Sequence, residues 1–138
     1  MWWLYALLSA VFPALVAVFA KAGIKGVDSG LATAIRTVVI ILIAWGIVIA
    51  KGSIKQPPML TKTNWIFLVL SGCATGLSWL FYFRALQLGE VSKVAPIDKL
   101  SVALAIIISV VFLHEKLSWQ EGVGAVMIIG GTLLLIFK

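Results

Sequence analysis

The chain has 138 residues, of which 62% are hydrophobic and 12% charged, and it carries a formal net charge of +6. A soluble domain has about 45–50% apolar and about 25% charged residues, and a fold this small has too little interior to hide the excess. The composition excludes a soluble enzyme, a nucleic-acid-binding module and any sizeable extramembrane domain. A bilayer accommodates it, because a helix crosses the hydrocarbon core with roughly 20 apolar residues.

Five such runs follow one another, giving an all-α membrane protein with transmembrane helices at about 2–20, 29–50, 64–88, 94–113 and 118–137. The first, Trp2 to Ala20, ends in Lys21, Gly23, Lys25 and Gly26. It has no basic stretch ahead of it and does not read as a cleaved signal peptide. Asp28 or Ser29 is placed to cap the second span. The segment Lys51 to Lys62, with Gly52, Ser53, Pro57 and Pro58, is the longest polar stretch. Span three starts near Asn64, with Gly89 as its expected stop. Span four opens around Val94 to Pro96, where proline is tolerated in a first turn. Span five opens on Ser118-Trp119-Gln120-Glu121, a capping-box pattern. Trp2, Trp3, Trp65 and Trp119 lie near span ends, where interfacial aromatics belong.

A single cysteine, Cys73, and a single histidine, His114, leave no disulfide framework or Cys/His metal cluster within one chain. Neither catalysis nor a cofactor is expected. The lysines between apolar runs are read as anchors to lipid head groups. An odd number of spans places the termini on opposite sides. Lys51, Lys55, Lys62 and Lys116 then fall on one side, and Lys21, Lys25, Arg84, Lys93 and Lys138 on the other. Four against five is hardly the imbalance that fixes orientation under the positive-inside rule. Two readings stay open: insertion in both orientations with antiparallel pairing, or one orientation decided by a few loop positions or by a partner.

Ionisable groups inside spans cost a few kcal/mol and usually face a cavity or a partner. Arg36, Asp98 and Lys99 are such groups. At 1.5 Å per residue, Arg36 lies roughly 9 Å past Gly30 and Asp98 roughly 6 Å past Val94, on spans that start from the same side. These depths suit an Arg36–Asp98 ion pair, and equally suit Arg36 and Lys99 reaching out to the head groups. On span three, Gly72, Thr75, Gly76, Trp79 and Phe83 share one face with Tyr82 at its edge, either a cavity wall for an organic solute or ordinary helix contact. Gly72 with Gly76, and Ser101, Ala105 and Ser109, form small-residue rows of the kind that let helices approach closely in lipid.

Residues 93 to 131, KVAPIDKLSVALAIIISVVFLHEKLSWQEGVGAVMIIGG, resemble the C-terminal part of an EamA-type domain. Pro96 stands at the family's proline opening span four, and Leu113-His114-Glu115 at its Leu-x-Glu. Gly122, Gly124, Gly130 and Gly131 stand in its Gly-rich fifth span, and Tyr82-Phe83-Arg84-Ala85-Leu86 at the end of its third. Many relatives place a second proline after a Leu early in span four, where this chain has Leu100, Ser101 and Val102. The resemblance, to the five-span bacterial and archaeal group of the drug/metabolite transporter superfamily, implies one EamA-like domain over residues 1–138. Such a domain is one half of an inverted-repeat transporter in a bacterial or archaeal cytoplasmic membrane.

An antiparallel homodimer would rebuild the ten-helix repeat used in alternating access. Related small multidrug resistance proteins carry a glutamate in their first span; Trp2 to Ala20 contains no acidic residue, which disfavours that mechanism of exporting cations. Two cations against one acid inside the spans tilt the expected substrate towards an anionic or zwitterionic small molecule. The candidate substrate-binding or gating residues are Arg36, Asp98, Lys99, Thr75, Trp79, Tyr82 and Ser101. The alternatives are a non-transporting assembly partner and a flippase of a lipid-linked sugar.

Overall fold

A computed structural model describes residues 1–53 and 60–137 of the chain; Lys55, Pro57, Pro58 and Lys138 lie outside the described residues. Six helices follow in order: α1 (Trp2–Gly23), α2 (Ser29–Ala50), α3 (Lys62–Leu88), α4 (Val91–Asp98), α5 (Leu100–Phe112) and α6 (Trp119–Ile136). The described residues contain no strand. The helices α1, α2, α3 and α6 are each long and apolar enough to cross a membrane, and α4 with α5 forms the fifth span, Val91–Phe112. The all-α, five-span architecture expected from composition is the observed one.

Local chemistry starts the helices. The Asp28 carboxylate caps α2 by accepting from the Leu31 N–H at 3.0 Å. In the capping box of α6, the Glu121 N–H donates to Ser118 Oγ at 3.3 Å and the Ser118 N–H donates to Glu121 Oε2 at 2.7 Å. Ser118→Ala is expected to lower stability by about 1 kcal/mol. A thermal unfolding midpoint unchanged from wild type would show that the cap contributes nothing.

The fourth span is not one helix. It begins at Val91, so Pro96 stands inside α4 rather than in a first turn. Proline brings no N–H and its ring crowds the carbonyl four residues back. The chain then tightens: the Lys99 N–H donates to both Ala95 O (3.3 Å) and Pro96 O (3.1 Å), and α5 starts afresh at Leu100. From α6, the Thr132 hydroxyl contacts Pro96 O at 3.2 Å while back-bonding to Ile128 O at 2.8 Å. The interruption therefore falls beside Ser101 without a second proline there.

The described chain divides into two compact units, Met1–Phe19 with Leu88–Lys138, and Ala20–Gln87. In the first, α5 packs on α6 and α4 touches both, with Ala17, Ala103 and Thr132 buried. In the second, Ala20, Ile24, Thr33, Phe83 and Leu86 are buried. Most large apolar side chains on the helices are exposed, including Trp2, Trp3, Trp65 and Trp119, which suits a chain whose solvent is lipid rather than water.

Candidate functional site

The second unit holds the most developed site. Along α2, Ser29, Thr33 and Thr37 recur every four residues and so share one face. The Thr33 hydroxyl donates to Ser29 O and that of Thr37 to Thr33 O, both at 2.8 Å, which satisfies two hydroxyls inside an apolar span. Arg36, half-buried, stands next to this row. Its guanidinium lies 4.6 Å from the ring centroid of Trp79 and 4.6 Å from that of Phe83. Trp79 and Phe83 are four residues apart on α3, so their rings lie on one face of that helix. Phe83 is wholly buried and its ring centroid is 6.0 Å from that of Tyr82.

This arrangement solves a specific problem of charge in lipid. A guanidinium is planar and weakly hydrated, and the π-faces of aromatic rings attract it. Within a span such faces replace part of the lost water. Arg36 starts about 10 Å along α2, is half-buried there, and as an arginine keeps its charge. A cation held by neutral rings stays able to attract an anion.

The other expected residues stand as follows. Asp98 and Lys99, at the break between α4 and α5, pair with each other at 3.3 Å. Among the described residues, Arg36 contacts the two rings and has Tyr82 nearby, and Asp98 pairs with the adjacent lysine. Thr75 is exposed and donates to Ser71 O at 2.9 Å. Ser101 and Ala105 are exposed and Ser109 is half-buried; on α5 the buried small residue is Ala103. A Cβ added at Gly72 or Gly76 would meet nothing within 4 Å, so no described neighbour makes a close approach at either glycine.

Several contacts were not visible in the sequence. Gln87 donates through Nε2 to Val27 O, Lys21 Nζ donates to Leu86 O, and Thr132 reaches Pro96. The Tyr82–Phe83–Arg84–Ala85–Leu86 string offered a hint of the first two, since it marks the end of α3 where both bonds are made.

Comparison with known proteins agrees with this architecture. The sequence profile of the EamA-like transporter family matches residues 1–137. A protein of Sinorhizobium sp. called an uncharacterized transporter in the cobO 3' region is 51% identical over 134 residues, covering 97% of this chain and 95% of that protein. No solved structure gives a significant match.

Proposed function

Since the chain belongs to the EamA-like transporter family and is an integral membrane transporter, we propose that its substrate is a small anionic or zwitterionic metabolite carried by alternating access between two antiparallel copies. The observation that carries this reading is Arg36 on Trp79 and Phe83 inside a span. The guanidinium supplies a bidentate cation for a carboxylate or similar group, and the rings supply walls for an organic body. Asp98 and Lys99 stand where span four is interrupted. Broken helices at charged positions are where transporters of inverted design place their sites and gates.

The dimer is supported by the near-equal loop charges, four against five, which leave orientation almost unbiased. It is supported too by Gly72 and Gly76, whose surroundings leave room for a close-packed helix. Two copies in opposite orientation supply the inverted repeat that one five-span chain lacks.

The test is uptake into proteoliposomes containing this chain alone, combined with a reporter on the C-terminus. Uptake is expected for small organic anions or zwitterions over organic cations, with the reporter found on both sides of the membrane. Two or three lysines added between residues 51 and 62 are expected to bias insertion to one side and to lower uptake. Uptake confined to cations overturns the substrate class, and no uptake by the chain alone favours an assembly partner. A single orientation in the unmodified protein removes the antiparallel dimer.

A further inference from the structure

We infer that the end of the second unit formed by α1, α2 and α3 is a specific binding site for a phosphate group at the level of the lipid head groups. The last turn of α1, the turn through Gly26, the N-terminus of α2 and the last turn of α3 line an open cleft of about 570 Å³. Its lining includes three cationic side chains, Lys21, Lys25 and Arg84, and one carboxylate, Asp28. The carboxylate is already engaged as the cap of α2, accepting from the Leu31 N–H. The cleft is therefore cationic overall and lies at the span ends, where phosphodiesters are most concentrated.

Its walls are built rather than incidental. Lys21 Nζ donates to Leu86 O and Gln87 Nε2 donates to Val27 O, so α3 is tied both to the end of α1 and to the turn before α2. The same Gln87 accepts from Arg84 Nη1 at 3.2 Å through Oε1. One amide thus fixes the turn and orients the guanidinium. That bond engages one of the five N–H donors of Arg84, and a guanidinium fork matches phosphate oxygens. Gly26 has a φ of +75°, a left-handed conformation that turns the chain sharply between Lys25 and the Asp28 cap. The cavity lies within the size range of small-molecule sites, ample for a phosphate with the glycerol of a lipid head group. Scattered interfacial lysines bind anionic membranes only diffusely, whereas cations that line one cleft discriminate between head groups.

The proposal does not depend on the transport reading. Native mass spectrometry of the full chain in detergent, titrated with phosphatidylglycerol, phosphatidylcholine or inorganic phosphate, tests it. We expect phosphatidylglycerol to be retained about tenfold better than phosphatidylcholine, as one or two cations near a surface provide. Arg84→Gln and, separately, the exposed Lys25→Gln should each reduce that preference, and Lys116→Gln, in the turn between α5 and α6, should not. Two variants guard against one failing to fold. Retention of inorganic phosphate at millimolar concentration, lost in the same variants and without lipid preference, identifies a soluble phosphorylated ligand for the same cleft. Equal retention of both lipids with no phosphate bound overturns the site, as does a preference that survives both substitutions.

Discussion

Arg36→Gln is expected to lower substrate uptake by tenfold or more, the largest functional effect of any single substitution in the chain. The glutamine removes the cation, and with it two ring contacts at 4.6 Å. A desolvated cation–π contact is worth about 2 kcal/mol, and about 1.4 kcal/mol already corresponds to tenfold. Arg36→Lys separates the contributions of charge and shape. Lysine keeps the charge, but it is a compact, strongly hydrated ion that cannot lie flat between Trp79 and Phe83, so it is expected to recover only part of the uptake. In a double-mutant cycle, Arg36→Gln with Trp79→Ala is expected to do less harm than the sum of the single changes, because both remove the same contact. Independent effects on uptake and on thermal stability would dissociate Arg36 from the rings. The same cycle with Asp98→Asn is expected to be additive, since Asp98 holds Lys99 at 3.3 Å in a half-exposed pair of the kind worth about 0–1 kcal/mol. Coupling there would instead make the Arg36–Asp98 pair part of the transport cycle.

The largest loss of stability is expected at Phe83 and Leu86, the wholly buried large side chains of the second unit. Truncating a packed Phe to Ala costs about 3–5 kcal/mol and Leu to Ala about 2–5 kcal/mol, as the cavity forfeits contacts that neighbours cannot restore. Dispersion carries much of helix association in lipid, so lost contact is felt there as well. Phe83→Ala should weaken the Arg36 site, and Leu86→Ala should loosen the region where Lys21 meets the end of α3. Phe81→Ala and Phe67→Ala, on exposed parts of the same helix, are the controls and should leave the unfolding midpoint near wild type. Fluorescence-detected size exclusion after a heating series gives the comparison. Equal losses at Phe81 and Phe83 would mean that burial does not set the stability of this unit.

What the sequence determined by itself is the set of properties that lipid reads segment by segment. Insertion into a bilayer depends on about twenty consecutive residues at a time, so five spans are legible without knowing what they touch. The cap at Asp28 and the Ser118–Glu121 box are equally local, since each closes hydrogen bonds within four residues. The charges at Arg36, Asp98 and Lys99 stood out because ions inside apolar runs are costly wherever they face.

Which way those residues face was decided only by tertiary structure. Helices that are apolar on nearly every side carry no polar–apolar stripe to mark an inner surface, so the company of Arg36 had to come from α3, more than forty residues away. Depth along the helix axis does not mark the rings as neighbours of Arg36; the packing of α2 against α3 brings them there. The same holds for Gln87 with Val27 and Thr132 with Pro96, neutral groups that nothing in hydropathy marks. Pro96 announced a helix start in the sequence. With α4 beginning five residues earlier, its missing N–H lies inside the span, and the break falls at Lys99.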